Sequence, residues 1–285
     1  MDYVNCKLCP RQCGVNREAG EMGFCKAPAS ALIAKTMLHK WEEPVLSPGG
    51  KSGAIFFSGC NLGCIYCQNY AISRNPAGKF MDGAALRAEM DGLIAQGAEN
   101  IDLVTPTPYL PTVLEALDTP VSVPVVYNCG GYESADALQA LDGKVDIYLP
   151  DMKYADDALS KALSGTENYF SVASAAIREM VRQTGPVQFR GEQLVRGVLI
   201  RHLILPGQVE NSLKVLDWIG STFPSGQVLV SLMRQYTPIP GMQPPLNRQV
   251  SDEEYDGVLS WMYLNGIAGF TQEKDSADTG FIPRF

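Results

Sequence analysis

From residue 53 onward, short unbroken apolar runs alternate with stretches whose apolar residues recur every three or four positions. The runs are "GAIFFS" (53–58), "NIDLVT" (100–105), "VPVVYN" (123–128), "VDIYLP" (145–150), "GVLIRHLIL" (197–205) and "QVLVSLM" (227–233). They have strand length and are mostly apolar throughout, the pattern of strands buried on both faces of a parallel sheet. Between them, "DGAALRAEMDGLIAQG" (82–97) sets Leu86, Met90, Leu93 and Ile94 at helical spacing behind an Asp82 cap. Further helices are predicted at 111–118, at 133–141, in segments up to about 183, at 209–219, and at 251–266 behind a cap. Six strands alternating with helices predict an α/β fold, a partial (β/α)6 TIM-type barrel, with a doubly wound open sheet as the alternative. Residues 1–50 show little periodicity and are rich in Cys, Gly and Pro, and "LSPGGKSG" (46–53) reads as a loop into the main body. The expected organisation is a small cysteine-rich metal-binding segment (1–50) followed by the barrel (51–285).

In such folds the chemistry gathers at the carboxyl ends of the strands. The first exit carries "GCNLGCIYCQNY" (59–70), with Cys60, Cys64 and Cys67 spaced C-x3-C-x2-C. The second carries Thr105 and Thr107, the third Asn128, and the fourth Asp151 and Lys153. Arg201 and His202 lie in the fifth strand, and Gln235 and Tyr236 follow the sixth. A charge inside an apolar strand must be compensated, so Arg201 is expected to pair with Asp151 or with a ligand carboxylate. His202 reads equally well as a hydrogen-bonded packing residue.

Composition narrows the choice of partner. The chain has 285 residues, 23 basic against 31 acidic, a net charge of −8. With no Lys/Arg run longer than two residues, nucleic acid is not expected as the main substrate. No apolar stretch approaches the roughly 18 residues needed to span a bilayer. The opening "MDYVNCKLCPRQ" lacks the apolar core of a signal peptide, so a cytoplasmic location is expected. In that reducing compartment the eight cysteines point to metal rather than disulfides. A 4Fe–4S cube normally takes four thiolates, so the loop trio would leave one iron open to a ligand. The alternative is a zinc site completed by a distant residue such as His39. Cys6, Cys9, Cys13 and Cys25, spaced C-x2-C-x3-C-x11-C, supply enough thiols to close a structural site. Zinc and a second iron–sulfur cluster both fit that set. Cys129 reads as an apolar packing residue.

The trio, with Tyr66 just before its last cysteine, resembles the radical S-adenosylmethionine (SAM) superfamily. Within it, "FFSGCNLGCIYCQN" is similar to the "FFQGC…RCLYCHN" of pyruvate formate-lyase activating enzymes. "VYNCGGY" resembles their "LDTNGF", "DMK" their "DLK" and "HLILPG" their "YVVVPG", over residues 53 to 240. The resemblance implies a 4Fe–4S cluster on Cys60, Cys64 and Cys67 and SAM chelated at the open iron. One-electron cleavage of SAM would give a 5′-deoxyadenosyl radical that abstracts hydrogen. It further implies a flavodoxin- or ferredoxin-type electron donor and, as target, a glycine of a glycyl-radical protein.

Residue by residue, the resemblance sets Tyr66 at the adenine and matches Asn128 to an Asp that touches SAM. Lys153 matches a Lys near the SAM carboxylate and Tyr236 a His near SAM; Gln235 would lie on the adenine side. The chain departs from the pattern after the second strand, where the activators' "GVTASGGE" is replaced by "DLVTPTPYLP". Thr105, Thr107 and their carbonyls would then accept from the SAM ammonium. Glu42 and Glu43 in "HKWEEP" offer another carboxylate, although the pattern marks them as solvated surface glutamates. Two other functions stay open: radical modification of a small molecule or peptide in the barrel mouth, and a non-catalytic iron–sulfur electron carrier.

Overall fold

The computed structural model describes residues 2–272. Its strands are β1 (Ala31–His39), β2 (Ser52–Phe57), β3 (Lys79–Met81), β4 (Asn100–Val104), β5 (Val125–Cys129), β6 (Ile147–Pro150), β7 (Gln188–Arg190), β8 (Gln193–Leu203), β9 (Leu229–Met233) and β10 (Gly269–Thr271). Its helices are α1 (Tyr70–Ser73), α2 (Gly83–Ala95), α3 (Leu110–Ala116), α4 (Ala135–Ala140), α5 (Asp157–Ser164), α6 (Tyr169–Thr184), α7 (Val209–Thr222) and α8 (Asp252–Leu264). The strands form one sheet in the order β10-β9-β8-β6-β5-β4-β2-β1-β3, with β7 folded back on β8. From β2 to β10 the neighbours along this path are parallel. Strand β1 pairs antiparallel with β2 and with β3. This is the expected α/β architecture, a mostly parallel sheet with its crossover helices packed on one side.

Strand alternation sorts the side chains into two layers. Ile101, Leu103, Tyr127, Tyr148, Val198, Ile200, Val230 and Leu232 face the helices and join the main core. The opposite face, the lumen, holds Val126, Ile147, Leu149, Leu199 and Leu229 in a second apolar layer. Val45 and Leu46 complete that layer and plug the lumen at the amino ends of the strands. The plug is tied in by its backbone: Asn100 Nδ2 donates to the Leu46 carbonyl at 2.8 Å, and Leu194 N–H to the Val45 carbonyl at 2.8 Å. Buried carbonyls need such partners. The connection read as a loop at 46–53 therefore starts inside the barrel, and residues 31–39, in the aperiodic stretch, are a strand of the sheet.

Helix starts follow the cap chemistry. Asp82 accepts from Ala85 N–H, and Ser251 forms a capping box with Glu254.

Candidate active site

The loop after β2 turns sharply at Gly59, whose φ is +86°. A Cβ there would sit 2.7 Å from the Cys25 carbonyl oxygen, so only glycine lets the amino-terminal segment lie against the cysteine loop. Cys60, Cys64 and Cys67 then line one cavity of about 240 Å³, together with Tyr66, Thr105, Asn128, Asp151, Lys153, Arg201 and Gln235. The topology thus brings the exits of β2, β4, β5, β6, β8 and β9 to a common mouth.

Each sulfur of the trio accepts a hydrogen bond. Leu62 N–H donates to Cys60 Sγ at 3.4 Å, Ser164 Oγ to Cys64 Sγ at 2.9 Å and Ser73 Oγ to Cys67 Sγ at 3.4 Å. Hydrogen bonds to sulfur are one means by which a protein tunes an iron–sulfur cluster. Burial, and then the neighbouring Cys64, pushes the Cys60 and Cys67 thiols up. Thiolates there need a bound cation to offset desolvation. Among the described residues no group of three or more His, Cys, Asp or Glu converges on a single-ion site. Three thiols on the wall of one cavity fit the donor set of a cluster, which takes its thiolates at separate irons. His39 does not complete a zinc site with the trio. It pairs with Ser52 at the start of β2, the end opposite the cysteine loop, and lies edge-on to Phe56.

Beneath the thiols runs a charged network. Asp151 accepts from Arg201 Nε at 2.9 Å and from Lys153 Nζ at 2.5 Å. Arg201 Nη2 also donates to Asn128 Oδ1 at 2.6 Å, and Asn128 Nδ2 donates to Asp102 Oδ2 at 3.2 Å. Burial favours the neutral Asp151 carboxyl, but Arg201 and then Lys153 outweigh it and hold the group below its usual range. The pairing expected for Arg201 is thus with Asp151. Glu42 adds a carboxylate 3.7 Å from Arg201 Nη1.

Glu42 and Glu43 are not the solvated glutamates that the pattern suggested. The Glu42 side chain is 10% exposed and Glu43 is 8% exposed. The adjacent Val45–Leu46 plug carries them into the lumen. Burial, followed by the Glu42 charge, pushes Glu43 up to about 7. Asp102 is pushed well above its ordinary value by burial and by Glu42. These two glutamates line a second, larger lumen chamber of about 730 Å³, with Trp41, Ser231 and Phe270. Arg201, Met233 and Gln235 line both cavities, so the two adjoin.

Three predicted site residues do not line the thiol cavity. Thr107 is buried in a short 3-10 turn and donates to Glu133 Oε1 at 2.9 Å. His202 faces the helices: Nδ1 lies 2.6 Å from the Met152 carbonyl and Nε2 2.9 Å from Ser212 Oγ. Tyr236 donates to the Leu246 carbonyl at 2.6 Å, while its ring meets Tyr66 edge-on at 6.2 Å. Thr105 does reach the mouth, with a left-handed φ of 61° that is costly for a β-branched residue. Its N–H donates to the Asn128 carbonyl at 2.8 Å, which holds the strained turn.

Sequence reading passed over the relay behind Cys64. Ser164 Oγ lies 2.6 Å from Tyr154 Oη, which lies 2.6 Å from Tyr66 Oη. Its only sequence signal was Tyr154 next to Lys153.

The amino-terminal segment is clamped onto this loop. Arg11 donates to the Asn61, Gly165 and Ser164 carbonyls at 3.0, 2.7 and 3.3 Å and stacks on Phe24 at 3.7 Å. Arg17, 3% exposed, donates to the Pro108 carbonyl at 2.6 Å and to that of Pro28. Burial pushes Cys9 up to about 12 and raises Cys25, and each thiol feels the charges of others in the set.

Residues 54–219 match the family described as the radical SAM superfamily. An uncharacterized protein of Methanocaldococcus jannaschii is 31% identical over 271 residues, covering 90% of this chain and 74% of the relative. Among solved structures, a radical SAM methyltransferase from Sphaerobacter thermophilus superposes with a TM-score of 0.54 at 14% identity, covering 78% of this chain and 66% of that one. Streptococcus suis SuiB bound to S-adenosylmethionine gives 0.53 at 10% identity, with 78% and 50% covered. The chain therefore spans about half the length of SuiB. No helix among the described residues is long and apolar enough to cross a membrane. The family match covers well over half the sequence and includes the cysteine loop, and the chain belongs to the radical SAM superfamily, whose chemistry implies a 4Fe–4S cluster and SAM.

Proposed function

We propose that Cys60, Cys64 and Cys67 hold the 4Fe–4S cluster and that the lumen chamber holds the substrate that loses a hydrogen atom. The carrying observation is that the cavity of the three thiols adjoins a chamber of about 730 Å³ through Arg201, Met233 and Gln235. Bound together, cluster and SAM would supply the chemistry of hydrogen-atom abstraction, through one-electron reductive cleavage of SAM with the electron coming from the external donor. The protein's share is to bind, orient and shield. Lys153, Asn128 and Thr105 would hold the polar end of SAM, and Tyr66 and Gln235 the adenine. The Asp151 bridge keeps the Lys153 ammonium and the Arg201 guanidinium in place without leaving either unpaired. The Val45–Leu46 plug closes the lumen floor to water.

The substrate is a small molecule or a peptide segment that fits the chamber. A second reading, a glycine of a glycyl-radical protein, is favoured by the likeness of "FFSGCNLGCIYCQN" and "HLILPG" to the activating enzymes. We assign the electron donor to the flavodoxin or ferredoxin class. We assign Cys6, Cys9, Cys13 and Cys25 to a structural site for zinc or a second cluster, on which the four thiols would close as the metal binds, in a segment that Arg11 and Arg17 hold against the barrel. The test is anaerobic turnover with SAM and reductant in deuterated and unlabelled candidate substrates. Deuterium appearing in 5′-deoxyadenosine identifies the substrate; an intact iron–sulfur protein that makes no 5′-deoxyadenosine would leave the electron-carrier reading.

A further inference from the structure

Three buried hydroxyl groups lead to one sulfur of the cysteine loop. Ser164 Oγ lies 2.9 Å from Cys64 Sγ, Tyr154 Oη 2.6 Å from Ser164 Oγ, and Tyr66 Oη 2.6 Å from Tyr154 Oη. Ser164 and Tyr154 are fully buried and Tyr66 is 6% exposed, so bulk water does not compete for these bonds. The backbone fixes the contact. Gly63 N–H donates to the Ser164 carbonyl at 3.2 Å and Ile65 N–H to the Leu163 carbonyl at 2.9 Å, so the last turn of α5 brackets Cys64 on both sides. The last carbonyls of a helix have no partner within it and need such donors. Arg11 donates to the same Ser164 carbonyl and to that of Gly165. The Tyr154 ring is held edge-on against Tyr169, with 5.2 Å between centroids. Cys60 and Cys67 receive longer bonds, 3.4 Å from Leu62 N–H and from Ser73 Oγ.

The direction of the chain follows from its end. A metal-bound cysteine is a thiolate, which accepts hydrogen bonds and donates none. Ser164 has one hydroxyl proton and gives it to Cys64. Its oxygen then accepts from Tyr154, whose oxygen accepts from Tyr66. Tyr154 Oη is also within reach of Cys64 itself, and along either route its O–H dipole ends at that sulfur. Hydrogen bonds in a row polarise one another, so the two phenols strengthen the bond that Ser164 makes. More negative charge on the sulfur strengthens it further, and bonds of this kind help to set the potential of an iron–sulfur cluster. We propose that Ser164 and Tyr154, backed by Tyr66, are positioning residues that raise the reduction potential of a cluster held at Cys64 and so ease its reduction by the electron donor. This role rests on the assignment of the cluster to the three loop thiols. No proton is transferred along the chain: the electron comes from the external donor, and the hydroxyls keep their protons.

The test is the midpoint potential of the cluster in the full chain, read by electron paramagnetic resonance at a series of poised potentials. Wild type is compared with Ser164→Ala, Tyr154→Phe, their double variant and Ser164→Thr. Each single loss should lower the potential. The double variant should favour the oxidised cluster about tenfold more than wild type at a fixed poise, equivalent to about 59 mV for one electron. Ser164→Thr keeps the hydroxyl and should keep the wild-type potential. A double variant at the wild-type potential overturns the proposal. So does Tyr154→Phe at the wild-type potential, which would leave the phenols outside the chain. Ser164→Thr falling as far as Ser164→Ala also overturns it, because the effect would then be one of packing. If Ser164→Ala fails to fold or to hold a cluster, Tyr154→Phe decides alone by the same criterion. A wild type that holds no cluster is seen in its absorbance before any potential is read, and sinks the cluster assignment and this role together. A normal cluster at an unmoved potential sinks only the role given to the hydroxyls.

Discussion

Asp151→Asn probes the network that orders the site. The substitution keeps shape but replaces a carboxylate shared by two cations with one carbonyl oxygen and an NH2. That oxygen can serve Arg201 or Lys153, not both, and the NH2 faces the other cation. Removing one partner of a buried ion pair costs about 3–5 kcal/mol. These side chains are 16–20% exposed, so solvent screening reduces the expectation to about 2–3 kcal/mol. An unfolding entropy near 2.1 cal/mol/K per residue gives a chain of 285 residues about 0.6 kcal/mol per degree, so Tm should fall by about 3–5 °C. The effect has a pH signature. The Asp151 carboxyl is depressed in the folded state, so its stabilisation is complete above its unfolded value near 4 and fades as pH falls through the folded value. Thermal melts from pH 7 to pH 3 should show wild type losing more stability than Asp151→Asn at the acid end. A variant melting within about 1 °C of wild type at pH 7, with parallel acid curves, would refute the claim that Asp151 holds both cations.

Other outcomes follow from neighbouring groups. His202 is held neutral by burial and lowered to about 4, so its contribution is full above about 6.5 and is lost as pH falls toward 4. His202→Gln should flatten stability between pH 6.5 and 4 by up to about 3 kcal/mol; an unchanged slope would contradict this. Thr105→Gly should relieve the strained φ and offset its own entropy cost, leaving Tm equal or higher, whereas Thr105→Val should weaken SAM binding about 10- to 100-fold in a titration. Thr107→Val removes a partner of buried Glu133 and should lower Tm with little direct effect on SAM affinity. A Cys60/Cys64/Cys67→Ala protein should still carry iron or zinc by elemental analysis if the amino-terminal thiols form their own site; a metal-free folded protein would contradict that.

The barrel was legible because its parallel strands are apolar on both faces, a signal that survives without knowledge of the neighbours. The edge strands were not. "KFM" of β3 and "GFT" of β10 are too short to show a period, and β1 is half-buried, so its pattern is mixed. The rim residues could be read by position after each strand, which placed Thr105, Asn128, Asp151, Lys153 and Arg201 around one cavity. The same rule misplaced Thr107, because a proline-stiffened 3-10 turn buries it against Glu133. Glu42 and Glu43 were misread for a different reason. Their burial depends on Val45 and Leu46 entering a lumen formed by residues far along the chain, which no local pattern records. The Tyr66–Tyr154–Ser164–Cys64 chain is equally non-local.

The central claim is that the loop thiols hold the cluster that drives SAM cleavage. The direct measurement is 5′-deoxyadenosine formed anaerobically from SAM and a strong reductant, with wild type and Cys60/Cys64/Cys67→Ala compared at matched protein concentration. Wild type should produce it in step with its cluster absorbance, and the folded triple variant should produce none. Equal production by the triple variant would contradict the assignment of these three cysteines.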